Sequence, residues 1–132
     1  MMNSNPLFLS VNKTVDNHNL QNNHLPNVSG FDLNDELIHN RATTFLLRVN
    51  SNAMIGAGIH NGDLVIVDKS IQATSGKVVI AVLNGEMLIR RLYVNNKKQK
   101  LVPDTPSLAA IDIDPFADFN IWGVVTYVIH QV

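Results

Sequence analysis

The 132-residue chain contains no cysteine. That removes disulfide scaffolds, thiolate metal sites and a cysteine nucleophile from consideration, and it accords with a cytoplasmic location. Charge of one sign is also lacking. Ten Lys and Arg stand against eleven Asp and Glu, for a formal net charge of -1. A surface built to grip nucleic-acid phosphates would be basic, so no direct, specific DNA binding is expected. Aromatic residues are few, with five Phe, two Tyr and one Trp, too few to make a stacking platform for single strands. No stretch approaches the roughly 18 apolar residues of a membrane span. Leu7-Phe8-Leu9 is too short for the apolar core of a signal peptide, so no membrane attachment is expected. The five histidines, His18, His24, His39, His60 and His130, are scattered. None is paired at a ligand spacing such as i, i+4 on a helix, so the sequence predicts no metal and no cofactor.

What is present suffices for one packed domain, since 45% of the residues are hydrophobic. The chain changes character near Phe31. Residues 1–30 are rich in Asn, with His, Pro and Ser interspersed and few large apolar groups. Such a segment buries too little surface to offset its ordering entropy and reads as a flexible arm. Residues 31–132 read as the folded domain.

Asp32 to Ile38 has an Asp start, early acids and Leu33 and Leu37 one turn apart, which predicts a short helix. Thr43 to Val49 reads as a strand, and Met54 to Ile59 as a helical turn or loop. Asn61-Gly62 is a turn before a buried strand over Asp63 to Asp68. Ser75-Gly76 turns the chain into a strand from Lys77 to Leu83. Asn84-Gly85 between two apolar runs is the strongest short hairpin signal, and Met87 to Val94 returns from it. On that returning strand Arg90 alternates with Leu88 and Leu92 and shares their face. Asn95 to Gln99 reads as a solvated polar tip, Lys100 to Pro103 as the start of a further strand, and Asp104 to Asn120 as mixed and acidic. Ile121 to Val132 closes the chain as a long apolar strand. As an exposed terminal strand it would invite pairing with a second copy or a partner. Short strands joined by turns, with little helix, predict a mainly β, barrel-like domain.

Several segments follow one another in a telling order: Phe31-Asp32-Leu33-Asn34, Ser51-Asn52-Ala53-Met54-Ile55, Asn61-Gly62-Asp63-Leu64-Val65-Ile66-Val67-Asp68, Asn84-Gly85-Glu86 followed by Met87 to Leu92, and Trp122-Gly123-Val124-Val125. Each alone is weak, but the ordered series resembles the C-terminal peptidase domain shared by LexA-type repressors and UmuD-type SOS mutagenesis proteins. The resemblance covers about Phe31 to Val132 and implies that family's twisted sheet or partial barrel. It also implies a Ser-Met nucleophile pair and a lysine base on the strand after the Asn-Gly turn. Here those positions hold Ala53 and Arg90. Alanine offers no nucleophilic atom. A lysine base works by burial that neutralises its amine, whereas arginine stays protonated. The resemblance further implies cleavage after a small residue-Gly bond in the arm, and Ser29-Gly30 is the only faintly similar bond, a vestige or an ordinary linker pair.

With no helix-turn-helix pattern upstream, the UmuD type matches best. The function so implied is a catalytically silent, homodimeric accessory or regulatory subunit for an error-prone, UmuC-like Y-family DNA polymerase in translesion synthesis, in contact with the RecA filament. Two alternatives stay open. One is a self-cleaving Ser-Lys peptidase whose nucleophile was mutated to Ala53, against which Arg90 speaks. The other is a binding module that antagonises a LexA or UmuD paralogue by mixed dimerisation. A displaced dyad using Ser51 with Lys69 or Lys77 is a remote possibility, and hydrogen bonding by Ser51 is the simpler role.

Overall fold

The computed structural model describes residues 27–132. Most of the expected flexible arm therefore lies outside the described residues. Contacts divide the chain into two units, one ending at His39 and one beginning at Asn40.

In the first unit, helix α1 (Leu33–Leu37) forms where the Asp start predicts it. The Asp32 carboxylate caps it, accepting from the backbone N–H groups of Asn34 at 2.9 Å and Asp35 at 3.3 Å. Asp35 and Glu36 in the first turn complement the helix dipole.

The second unit is built on β1 (Thr44–Arg48), β2 (Leu64–Asp68), β3 (Val78–Leu83), β4 (Glu86–Asn95), β5 (Lys98–Val102), β6 (Ile111–Asp112) and β7 (Phe119–Ile129). They form a seven-stranded antiparallel sheet in the order β1-β2-β7-β3-β4-β5-β6. The mainly β fold of the LexA/UmuD type is what the sequence predicts.

The β3–β4 hairpin closes through Asn84 and Gly85 at φ 51° and 84°, with Leu83 opposite Glu86. Two positive φ values make a type I′ turn, whose twist matches that of the flanking strands. The β4–β5 hairpin does the same with Asn96 and Lys97 at φ 51° and 65°. Strand β5 thus starts at Lys98, earlier than the sequence suggests, because a two-residue tip leaves Gln99 and Lys98 free to pair.

One expectation is corrected. The apolar C-terminal strand is not an end of the sheet: β7 bridges two neighbours in turn, Phe119–Val124 pairing with β3 and Val124–Ile129 with β2, and the sheet order ends in β1 and β6. Its length follows from serving two partners one after the other. Strand β7 also carries two irregularities, where Thr126 and Trp122 fall between paired residues. Such bulges bend a strand and increase its local twist. Alternate residues of β3 feed two cores: Ile80 joins Val49, Ala53, Met54, Ile59, Val65, Val67 and Ile89, while Val79 and Ala81 join Leu92, Leu101 and Val124.

Candidate functional site

The segment after β1 is fixed from several directions. The Ser51 hydroxyl oxygen accepts from the Ala53 backbone N–H at 3.0 Å, a local turn typical of serine. The Asp104 N–H donates to the Ala53 carbonyl at 2.7 Å, and the Gly56 N–H donates to the Asp104 carbonyl at 2.8 Å. Arg91 on β4 approaches the Asp104 carboxylate at 3.5 Å. Met54 has no exposed surface and Ala53 only 1%. A short 3₁₀ turn, Ile55–Ala57, follows.

Gly56 is required by close approach. A Cβ there would lie 2.6 Å from the Asp104 carboxylate and 2.8 Å from its backbone carbonyl. Gly56→Ala is therefore expected to destabilise the fold by about 1–3 kcal/mol through overpacking, read as a lower urea midpoint without a change in slope.

An open cavity of about 420 Å³ lies beside this segment, lined by Leu47 to Ser51, Val65, Ile80 and Glu86 to Arg90. Arg90 pairs with Val79 across the β3–β4 ladder, on the face it shares with Leu88 and Leu92, as the alternation predicts. It is half-buried. One terminal N–H donates to the Ile89 carbonyl at 2.8 Å, while Nε is buried without a hydrogen-bond partner among the described residues. Desolvation lowers the guanidinium pKa, and the Glu86 carboxylate on the same strand opposes that shift. The group still remains a cation at any physiological pH.

Chemically, the cavity offers charge and hydrogen bonds but no proton acceptor of the amine type. Its lining contains no lysine. Lys69 lies over the Trp122 ring at 4.7 Å and the Phe45 ring at 5.9 Å, and Lys77 is exposed in its turn. Ser51 lines the cavity with Arg90, whereas Ala53 is packed into the apolar core beside it. Ser29 is exposed and Gly30 half-buried, both in the N-terminal unit.

Sequence reading missed two features. Asp104 was lost in an acidic stretch without periodicity. The second is a polar cluster at the β2–β7 end. The Asp63 carboxylate is 4% exposed; one oxygen accepts from the His60 N–H at 2.8 Å and the other lies 2.6 Å from His130 Nδ1. His60 Nδ1 stands 3.7 Å from the first oxygen. His130 is 67 residues from Asp63, so only the strand pairing of Leu64 with Ile129 reveals the contact.

The His60 backbone N–H and then His130 hold the Asp63 carboxyl below the ordinary carboxylate range. A depressed folded-state pKa adds stability that is present above the unfolded value, near 3.9. It is lost as pH falls through the folded value. Stability of the native chain is thus expected to fall more steeply with acid below about pH 4 than that of Asp63→Asn, the two curves converging at low pH. Urea melts across the acid range check this.

The Peptidase S24-like family profile matches residues 7–126. The match begins well upstream of Phe31, so the Asn-rich segment also carries family signal that its composition hides. LexA repressor 2 of Pseudomonas putida is 39% identical over 90 residues, 68% of this chain and 45% of that protein. Protein ImpA of Salmonella typhimurium is 37% identical over 101 residues, 76% of this chain and 68% of that protein. The LexA repressor of Syntrophotalea carbinolica is 41% identical over 87 residues, 66% of this chain and 43% of that protein. The chain thus spans less than half of these LexA proteins and about two thirds of ImpA. On the extent of the profile match and of the ImpA alignment, this chain belongs to the Peptidase S24-like family.

Proposed function

We propose that this chain is a catalytically silent, UmuD-like member of its family, acting in the SOS response. It works as a homodimeric accessory or regulatory subunit for an error-prone, UmuC-like Y-family polymerase in translesion synthesis. The observation that carries this reading is the occupancy of two positions. Ala53, buried in the apolar core, stands where the family resemblance calls for the nucleophile. Arg90, half-buried on β4, stands where it calls for the base. Either replacement removes acyl transfer, because one lacks the attacking oxygen and the other cannot shed its proton.

The scaffold around them is kept: the hairpin, the clamped Ser51–Gly58 segment and the cavity between β1 and β4. A fold maintained without its chemistry fits a role in binding. The near-neutral charge favours protein contacts, with polymerase and the RecA filament, over direct DNA contact. No helix among the described residues is long and apolar enough to cross a membrane, which fits a cytoplasmic setting. The segment 1–30 would then be an arm that need not be removed, and Ser29-Gly30 a bond that stays whole.

The test is affinity capture of the full chain with a Y-family polymerase, and separately with an active LexA or UmuD paralogue. Recovery of a stoichiometric dimer–polymerase complex supports the proposal. Recovery of a mixed dimer with the paralogue, and no polymerase, replaces it with the antagonist reading.

A further inference from the structure

We infer that His60, Asp63 and His130 form a binding site for a borderline divalent transition-metal ion of the Zn²⁺ class. The three residues come from the loop before β2, the entry to β2 and the end of β7, and each offers one ligand atom, all within 4.8 Å of one another. Bond lengths of about 2.0–2.2 Å place the ligand atoms of a tetrahedral ion roughly 3.3 Å apart. The His60 Nδ1 to Asp63 separation of 3.7 Å is close to that. The His130 Nδ1 to Asp63 contact of 2.6 Å must open slightly. It can do so, because the two imidazole side chains are 49% and 56% exposed while the carboxylate is 4% exposed and anchored.

The chemistry of the set selects the ion. Two imidazole nitrogens and one carboxylate oxygen suit Zn²⁺, Ni²⁺ or Cu²⁺, whereas Mg²⁺ and Ca²⁺ require mostly oxygen. The His60 N–H that donates to Asp63 is the kind of outer contact that orients a ligating carboxylate. The two imidazole rings already lie side by side, with centroids 5.4 Å apart. Three protein ligands leave a fourth position open to water or to a side chain of a partner. Bound metal would fasten the end of β7 to the His60 loop, on a surface separate from the Arg90 cavity, whose lining shares none of these residues.

The site escapes sequence reading because its spacing is not that of a helix or hairpin motif, which is why the histidines taken alone predict no metal. The test is titration of the full chain with Zn²⁺ by calorimetry, with histidine side-chain NMR. The expected result is one Zn²⁺ per chain, joint shifts of the His60 and His130 rings, and no response to Mg²⁺. His60→Ala and His130→Ala should each weaken binding by about tenfold or more, and His39→Ala should leave it unchanged. Both altered residues are exposed, so circular dichroism should stay native. Absence of Zn²⁺ binding overturns the inference. So does binding that survives unchanged in both variants, which would assign it to other histidines of the chain.

Discussion

Ala53→Ser alone is expected to leave the chain unreactive toward a serine-directed phosphonate, and Arg90→Lys alone likewise. Only Ala53→Ser/Arg90→Lys is expected to be labelled, as a single adduct by mass. The reason is non-additivity: nucleophile and base act as one unit, so lacking either costs about as much as lacking both. The surroundings of Arg90 give the double variant its chance. Burial already lowers the guanidinium pKa there, and the same desolvation would push a lysine amine down toward neutrality. In Ala53→Ser alone, the residue at the family's base position is a cation that cannot accept a proton. Labelling of the single Ala53→Ser variant would reveal another base and contradict this account. An unlabelled double variant would mean that the loss extends beyond the two side chains, into the clamped segment around Asp104.

Met54→Ala is expected to cost about 2–5 kcal/mol of stability, the range for removing a long buried side chain from a core that cannot collapse around the gap. Met54 has no exposed surface and packs with Val49, Ile59, Val65, Val67, Ile80 and Ile89. Thermal or urea unfolding measures it. The comparison with Ala53→Ser is instructive, since that change fills no cavity but buries a hydroxyl at a site with 1% exposure. Its cost should be about 1–3 kcal/mol if no partner is found. Met54 thus supports the fold as strongly as any residue in the motif. A motif anchored in this way serves the fold independently of any chemistry it carries. A Met54→Ala cost below 1 kcal/mol would show that the segment is loosely held.

Much of this architecture was legible because local rules and global topology agree. Asn84-Gly85 announces its type I′ turn by residue type alone, and the positive φ values at both positions are the physical reason. Asp32 announces its cap in the same way. Topology is another matter. An apolar C-terminal run looks like an edge or an interface in one dimension, yet β7 bridges β3 and β2, pairing with each over half its length. Sequence order favours chain neighbours, as in β1–β2 and β3 through β6, but it does not announce the insertion of β7 between β2 and β3. Strand β6, with two residues, has too few positions to show a period.

The site divides along the same line. The positions of Ala53 and Arg90 can be picked out in sequence because they sit in local motifs. Asp104 and the His60–Asp63–His130 cluster are not, because long loops and strand pairing bring them to their partners.

The central claim is that the unaltered chain does not cut itself. Its most direct test is intact mass after incubation with RecA, single-stranded DNA and an ATP analogue, repeated at alkaline pH. The full mass is expected to persist in both. Loss of an N-terminal fragment ending near Gly30 would contradict it, since some group other than Ala53 and Arg90 would then be performing the chemistry.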